Sequence, residues 1–559
     1  MKKLCFSIFL SFSTALLFGE TLIVSSVADD DSAGTLRYVL ANAKDGDVVV
    51  FDDSLKGETI KIVKRSHADT AICINASVSI IGPEDKSITL DGGYSNNRDT
   101  GSRIFALTNS VATLTCKNLV FEKANGRDWG SEFAYGGAIY ADGNVVLENC
   151  SFFENRVGEI KISGGKSVRG GAAAHVLGNL TVNNCEFIEN KAPAGNLHGG
   201  VFVVFGDKCS IKNSKFIGNT SGSYNAGICV PTSLRELEII NCSFIDNRAG
   251  GDQCVGSVIF VLNDANVNIF VKDTIFRGNG FTGSGANGGV LFARSGGTNK
   301  IKFINCEFSG NRGSGTSGGV MRTENGTEVV LVNCTVADNS AASHGAGLDL
   351  RGVSYLVNCT ITGNILTHTS DRTASGGIYH GSAALSVLNT VVVHNYYMLN
   401  SNYEAGSGNV YNKINSTTLK NMASLADGSV EDDEEDLFVS YRKVSSVTEY
   451  WSDSSPVRTF AEPVHVPALN ADEKRSRVVE IAKNGPLDGK GLLVKMTDDA
   501  SYIAYSADKG ATWTTFYGEE DSSAKLLLSD QRGVAFSEKR IPIGAAAIEF
   551  PMATQIIVY

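Results

Sequence analysis

Short runs along the middle of the chain alternate apolar and polar side chains, which is the period of a half-buried β-strand. The runs 145–152 and 329–336 alternate small or apolar residues with polar ones and are rich in β-branched residues. Helix-forming residues are scarce between such runs, whereas the chain has 60 glycines and only 9 prolines. The pattern predicts many short strands joined by tight turns.

These runs belong to a phrase that the chain repeats: an apolar run, an Asn-Cys pair or a close variant, a Phe two residues later and a closing Asn. Copies centre on Cys116, Cys150, Cys185, Ser214, Cys242, Thr274, Cys306, Cys334, Cys359 and Thr390. A phrase with paired glycines lies between copies and starts at Gly136, Gly170, Gly199, Gly288, Gly318 and Gly376. Because successive copies lie between 25 and 35 residues apart, a helical repeat of constant length is excluded. The sequence predicts an all-β fold, a right-handed parallel β-helix with fixed strands and variable loops.

The repeated residues have structural roles in this fold. Phe and Cys recur two residues apart, so we expect both to point into the core and Phe to stack on Phe. We expect the closing Asn to lie where the chain turns, to tolerate left-handed backbone and to form a ladder of side-chain hydrogen bonds. We expect the glycine pairs to mark tight corners. The repeat-motif residues are Phe152, Asn155, Phe187, Asn190, Phe216, Asn219, Phe244, Asn247, Phe276, Asn279, Phe308 and Asn311.

The chain has 12 cysteines, of which Cys5 lies in the N-terminal apolar run. Cysteines at one position of successive coils would stack about 4.8 Å apart, wider than the Cβ spacing of a disulfide. We therefore expect mostly free, buried thiols. A bridge remains open among the four cysteines outside the column: Cys73, Cys209, Cys229 and Cys254.

The N-terminus has the form of a secretory signal peptide, with Lys2 and Lys3 followed by the apolar run 4–18. Such a run is too short to span a membrane. We expect residues 1–19 to be this signal peptide, with no transmembrane helix elsewhere. The mature protein is then exported to the cell surface, in association with an outer membrane, or to the extracellular space, and a periplasmic location stays open.

The residue pattern of the sequence changes on both sides of the repeats. Residues 20–60 are expected to cap the solenoid through a strand at 21–27 and a short helix with apolar residues at helical spacing, and residues 61–415 form the β-helix. Residues 416–437 form an acidic linker and 438–559 a small C-terminal β domain. Within the last segment, residues 506–513 resemble the Asp-box hairpin of sialidases and other β-propellers.

The alternation of Gly-Gly-Ala, Gly-Gly-Val or Gly-Gly-Ile phrases with Phe-x-x-Asn phrases resembles the passenger domains of the chlamydial polymorphic outer membrane proteins. Residues 21–60, with Thr35-Leu36-Arg37 and Gly46-Asp47, also resemble the N-terminal segment that precedes β-helices in many exported bacterial proteins. The resemblance implies an adhesin-type rod that is exposed on a surface or secreted. The expected partner is then a glycan or protein of a host or other cell surface, and self-association is open. A purely structural cell-surface role is an alternative.

The net charge further limits the classes of partner that we expect. The formal net charge is −11, which argues against nucleic acid because a nucleic-acid-binding face is basic. We expect no metal and no cofactor, although calcium is open for the acidic stretch 427–436.

The rival class is a polysaccharide-active lyase or glycoside hydrolase, since enzymes of both kinds use parallel β-helices. Their chemistry needs paired carboxylates, or a basic side chain with calcium. The best candidates, assigned only if the chain is an enzyme, are Asp349, Arg351, His344, Tyr379 and His380. The alternative interpretation of Asp349 and Arg351, which we favour, is a solvated ion pair on a coil face, and enzymatic activity stays open.

Overall fold

The computed structural model describes a set of segments that cover most of residues 19–531. They are 19–63, 71–95, 100–126, 135–157, 168–193, 198–250, 255–281, 287–313, 317–369, 375–381, 383–399, 402–404, 410–412, 418–420, 423–424, 441–446, 459–467, 492–506, 508–529 and 531. Residues 1–18 of the predicted signal peptide, most of the predicted acidic linker and Cys254 lie outside these segments.

The polypeptide winds into a right-handed parallel β-solenoid of about ten turns. A full turn gives one strand to each of four sheets, which we number 1 to 4 in the order in which the chain runs through them within such a turn. Sheet 1 has the strands Ile72–Ile74, Phe105–Leu107, Ile139–Ala141, Ala174–Val176, Phe202–Val204, Ile228–Val230, Ile259–Val261, Leu291–Ala293, Met321–Thr323, Leu348–Leu350, Ile378–His380 and Val410–Asn412. Sheet 2 has Thr21–Val24, Val48–Phe51, Val78–Ile81, Thr113–Lys117, Asn144–Glu148, Leu180–Asn183, Lys208–Lys212, Glu236–Ile240, Asn268–Lys272, Asn299–Ile304, Thr327–Val332, Ser354–Val357, Leu385–Leu388 and Thr418–Lys420.

Sheets 3 and 4 complete each turn. Sheet 3 has Thr59–Lys61, Thr89–Asp91, Val120–Glu122, Ser151–Phe153, Glu186–Ile188, Lys215–Ile217, Ser243–Ile245, Ile275–Arg277, Glu307–Ser309, Thr335–Ala337, Thr360–Thr362, Val391–Val393 and Ala423–Ser424. Sheet 4 has Lys191–Ala192, Thr220–Ser221, Arg248–Ala249, Gly280–Phe281, Arg312–Gly313, Ser340–Ala341, Ile365–Thr369, Tyr396–Leu399 and Asn402–Glu404, the last pairing antiparallel. Strands 418–420 and 423–424 extend sheets 2 and 3 past residue 415, into the segment that the sequence predicts as linker.

Phenylalanine fills the interior beneath sheet 3. Phe152, Phe187 and Phe216 are Cα partners on successive coils, and all three side chains are fully buried. The ring centroids along the column from Phe121 to Phe308 lie 4.5, 5.1, 4.7, 4.4, 5.2 and 5.0 Å apart, with interplanar angles of 4° to 19°. The predicted stacking is confirmed, and it gives neighbouring coils a continuous apolar contact.

The closing asparagines form the predicted ladder inside the solenoid. Nδ2 of Asn155 donates to Oδ1 of Asn190 at 3.0 Å and to the carbonyl oxygen of Phe121 at 2.9 Å. The same pattern repeats on every coil down to Asn395. Because these side chains are at most 3% exposed, each hydrogen bond satisfies a polar group that water does not reach.

The predicted backbone role of this asparagine is wrong. The left-handed conformation belongs to the residue before it, with φ of 51° at Glu154 and 53° at Glu189, and to the Asn that opens the phrase, such as Asn149 with φ of 52°. The opening asparagines are the ones that use the tolerance of Asn for left-handed backbone. The closing Asn is chosen for its two-donor, one-acceptor side chain instead.

Paired glycines bring the chain into sheet 1 at a tight corner. Gly136 has a φ of +56°, which favours glycine. A Cβ on the second glycine of a pair would strike the next coil, as Gly319 shows: its Cβ would lie 2.0 Å from the carbonyl oxygen of Ala346. The prediction of tight corners is confirmed at these positions.

The helix Leu36–Asn42 closes the N-terminal end, and a 3₁₀ turn, Asp53–Leu55, follows the strand Val48–Phe51. Leu36, Val39 and Leu40 are buried in the core that runs through the solenoid. This agrees with the helical spacing of apolar residues in the sequence.

The described buried thiols are free, as expected. Cys209 and Cys229, which lie outside the repeat column, are free as well. Burial raises the pKa of Cys209 to about 12 and that of Cys334 well above its usual range. These thiols therefore stay protonated and behave as small apolar side chains.

Antiparallel strands form the remaining sheets. Tyr441–Ser446 pairs with Thr459–Pro467. A four-stranded sheet, which we call the C-terminal sheet, has the spatial order Thr514–Tyr517, Ile503–Ser506, Leu493–Met496 and Lys525–Leu526.

The segment that resembles an Asp-box forms the hairpin between two strands of the C-terminal sheet. The Asp508 carboxylate accepts hydrogen bonds from the backbone N–H and the hydroxyl of Thr512 and from the hydroxyl of Ser506. These bonds lower the pKa of Asp508 to about 2. The motif has a turn-stabilising role here.

Candidate functional site

The candidate acid Asp349 lies on the outer side of sheet 1 but is not solvated. Its side chain is fully buried, and its carboxylate accepts hydrogen bonds from Nε and Nη2 of Arg351, both at 3.1 Å. Nε of Arg322, on the preceding coil, lies 3.8 Å from the same carboxylate. Glu324 binds Arg322 at 2.6 Å and lies 3.9 Å from Arg351. The expected solvated ion pair is thus wrong: Asp349 belongs to a network of two arginines and two carboxylates.

Electrostatics bind this network together. Burial raises the pKa of Asp349, and the hydrogen bonds from Arg351 and the charges of Arg351 and Arg322 oppose that rise. Burial also lowers the pKa of the Arg351 guanidinium, but its hydrogen bonds to Asp349 and the attraction of that carboxylate outweigh burial and raise it. An arginine that acts as a general base needs a lowered pKa. In this arrangement Arg351 holds its proton and serves as a hydrogen-bond donor.

Tyr379 and His344 join the same cluster. Tyr379 is the Cα partner of Asp349 on the next coil, and its ring lies edge-on to the His344 imidazole with centroids 4.7 Å apart. The Arg351 guanidinium lies 5.8 Å from the centre of the Tyr379 ring. The structure therefore brings these four candidates together on one outer face.

His380 does not belong to this cluster. Side chains alternate along the strand Ile378–His380, so His380 points to the same side as Ile378, which is part of the solenoid core. Its side chain is fully buried beside Leu350, its Cα partner. Sequence proximity to Tyr379 suggested a shared site, but the two-residue strand period places the two side chains on opposite faces.

An aromatic column continues from the Asp349 cluster along the outside of sheet 1. Phe260 and Phe292 lie on the preceding coils, in register with Arg322, and their rings are parallel with centroids 6.2 Å apart. Arg294 lies over Phe260 at 5.1 Å, and Arg322 lies over Phe292 at 5.6 Å. Both rings are at most 5% exposed. This face is therefore packed, and its arginines are held by cation–π contacts.

A second outer face, on sheet 2, carries the C-terminal sheet. Five residues of the solenoid pack with Val494, Met496, Ala500 and Ile503 into one buried apolar cluster. The solenoid residues are Ile304, Val330, Val332, Val357 and Leu388.

Hydrogen bonds fix the position of the C-terminal sheet. The Asn389 side chain donates to the Leu492 carbonyl at 2.8 Å and accepts from the Leu492 N–H at 2.9 Å. Nδ2 of Asn333 donates to the Ser529 carbonyl at 3.0 Å. Because asparagine anchors lie on two different coils, the contact specifies one register between the sheet and the solenoid.

A groove of about 660 Å³ opens where the C-terminal sheet meets sheet 2, and we call it the sheet 2 groove. Its lining is Asn268, Ile269, Phe270, Lys300, Lys302, Glu328, Tyr355, Asp499, Ser501, Tyr517 and Gly518. The Tyr517 hydroxyl donates to Glu328 at 2.7 Å and bridges the two walls. Nζ of Lys302 donates to the Asp499 carbonyl at 3.2 Å.

The sequence interpretation missed this groove, although one signal was present. Residues 329–332 are four apolar residues in a row. A strand with one face exposed to solvent would alternate apolar and polar residues. Val329 and Leu331 face the core, whereas Val330 and Val332 face the C-terminal sheet. The uninterrupted run therefore indicates burial on both faces, but it does not identify the segment that covers the outer one.

The described segments show neither a membrane-spanning helix nor a metal-binding cluster. None of the helices in the described segments is long and apolar enough to cross a membrane. The same segments contain no cluster of three or more His, Cys, Asp or Glu side chains that could hold a metal ion.

One family model agrees with the fold over part of the chain. The family described as "right handed beta helix region" matches residues 69–257. Among solved structures, a pectate lyase, Pel9A, aligns over 76% of this chain and 84% of its own length, with 14% identity and a TM-score of 0.30. At this level of similarity the alignment carries no argument about activity. No curated protein matches the sequence.

Proposed function

We propose that this chain is an exported β-helical rod that binds a glycan or protein of a cell surface through its outer faces and loops. The observation that carries the proposal is that side chains inside and outside each coil have different roles. The repeated Phe and Asn side chains are buried and bonded to one another. What differs from coil to coil is the outer surface, where recognition takes place in solenoid proteins.

The chemistry of the two outer faces also supports binding. The candidate catalytic cluster on sheet 1 is a salt-bridge network around a buried Asp349. By contrast, the sheet 2 groove combines aromatic side chains with separate polar groups, as ligand sites commonly do. Recognition therefore accounts for the arrangement more simply than turnover of a polysaccharide.

The resemblance to the chlamydial polymorphic outer membrane proteins favours an adhesin-type role, with the protein displayed at an outer membrane or released. A structural role in a surface layer is the second candidate, because an uncapped end of a solenoid offers strand edges with which another copy can pair.

A cell-binding isotherm tests the proposal. Fluorescently labelled chain, residues 20–559, is titrated onto cultured epithelial cells, with excess unlabelled chain as competitor. The expected result is saturable binding that the unlabelled chain displaces. Non-saturable binding, together with concentration-dependent assembly of the purified chain into sheets or fibres, would favour the surface-layer role.

A further inference from the structure

We propose that the sheet 2 groove is a binding site for a neutral, hydroxyl-rich oligosaccharide. This inference rests on the proposed binding function and assigns it a site and a ligand class. Its volume of about 660 Å³ lies within the roughly 300–1,000 Å³ that small-molecule sites occupy.

The charges in the groove favour a neutral ligand over an ionic one. Lys300 and Lys302 face the groove together with Glu328 and Asp499. Because the lysines and carboxylates are equal in number, the lining has no excess of one sign to attract an anion or a cation. A hydroxyl group both donates and accepts hydrogen bonds, so alternating donors and acceptors suit a sugar.

The register of sheet 2 places these groups in two parallel columns. Asn268, Lys300 and Glu328 are Cα partners on three successive coils and form one column. Phe270 and Lys302 are Cα partners in the next column. Coils of a parallel sheet lie about 4.8 Å apart, so the first column offers polar groups at regular intervals along an extended chain of sugar units.

Aromatic rings supply the apolar side of the groove. The Tyr355 ring lies 4.8 Å from that of Tyr517, at an angle of 58°, so the solenoid and the C-terminal sheet each contribute one ring. Tyr517 also keeps its hydroxyl bonded to Glu328, which holds that carboxylate in place. An aromatic surface bordered by fixed polar groups suits the apolar face and the hydroxyl rim of a sugar ring.

The floor of the groove disfavours an extended peptide. Peptides commonly bind to sheets by adding a strand to an exposed edge. Here the floor is the face of sheet 2, and its strands are already paired on both sides in the coils that form the groove. Recognition must therefore come from side chains.

The test is calorimetric titration of the full chain, residues 20–559, with cello-, manno- and galacto-tetraose, and with an acidic oligogalacturonate as comparison. The double variant Asn268→Ala, Lys300→Met removes two polar groups from the exposed floor. We expect it to weaken tetrasaccharide binding about tenfold or more, as the loss of one or two hydrogen bonds would. Glu328→Gln, which keeps the volume of the side chain, is expected to weaken binding as well.

Lys212→Met is the matched control, since Lys212 lies on the same outer face of sheet 2 and pairs with Glu238 outside the groove. This variant should bind as the wild type does. The proposal is overturned if no neutral tetrasaccharide binds, if the acidic oligosaccharide binds more tightly, or if both groove variants retain wild-type affinity. Cell binding without tetrasaccharide binding would remove the groove assignment and leave the proposed function standing. Tetrasaccharide binding without cell binding would leave the groove assignment standing and remove the proposed cell-binding function.

Discussion

Most repeats contain two asparagines that have different physical roles. The opening residue, such as Asn241, takes a left-handed backbone with φ of 52° and lies at the surface. The closing residue, such as Asn247, has a buried side chain that donates to Asn279 Oδ1 and to the Phe216 carbonyl, both at 2.9 Å. Asparagine therefore suits the first position because of its backbone conformation, and the second because of its side-chain hydrogen bonds.

Replacing the buried asparagine should be costly. Asn247→Ala removes the donor to the Phe216 carbonyl and leaves the amide of Asn219 without its acceptor. We expect the free energy of unfolding to fall by about 3 kcal/mol, because buried polar groups lose their partners. Chemical denaturation measures this change.

The control in the same coil is Asn241→Gly, which keeps a residue suited to positive φ. We expect it to change the stability by about 0.5 kcal/mol or less, as surface substitutions usually do. Equal losses in the two variants would show that the buried ladder has no special role.

At the scale of the strand, much could be predicted from the sequence and some could not. The two-residue period and the repeat phrase predict the strands, the Phe column and the Asn ladder, because each depends only on local spacing. The environment of an outward side chain depends on what covers it. Asp349 was expected to be solvated and is buried by Arg351 and by residues of neighbouring coils. No local pattern carries that information.

His175, on the outside of sheet 1, gives this covered face a pH dependence. Its ring packs against Tyr135, Tyr140 and Phe205, with centroids 4.7, 5.9 and 5.5 Å away. Burial lowers its pKa to about 3. Since the unfolded state binds the proton first, the stability contributed by neutral His175 is complete above about pH 6.5 and is lost as the pH falls toward 3.

We therefore expect the contribution of His175 to make the free energy of unfolding about 2–3 kcal/mol lower at about pH 4.5 than at pH 7. The variant His175→Phe keeps an aromatic ring in the pocket and should be less sensitive to pH over this range. Denaturation curves at the two pH values measure the difference. If the variant showed the same pH dependence as the wild type, His175 would be protonated as readily in the folded protein as in the unfolded state.

At the scale of the whole molecule, the C-terminal sheet is attached to the solenoid by an apolar contact with a few polar anchors. Val330 is buried in this contact, and Thr181 occupies the same outer column on an earlier coil, where it is exposed. The register connects the two positions coil by coil. The pair therefore offers a matched test of docking.

Val330→Asp should release the C-terminal sheet, because it places a carboxylate in an apolar contact. We expect proteolytic cleavage within residues 492–529 to become about tenfold faster or more, since a detached segment opens locally. The circular dichroism of the β-helix should stay unchanged. Thr181→Asp should be cleaved as the wild type is, and rapid cleavage of the wild type itself would contradict the docked arrangement.

The central proposal is that this rod acts by binding rather than by catalysis. The most direct measurement is an activity screen of the chain, residues 20–559, on acidic and neutral polysaccharides with and without calcium, with a pectate lyase as positive control. The readout is the appearance of new reducing ends or unsaturated uronates. The account predicts no product on any polysaccharide. Product that disappears in folded Asp349→Asn or Arg351→Ala variants would contradict it and make the sheet 1 cluster an active site.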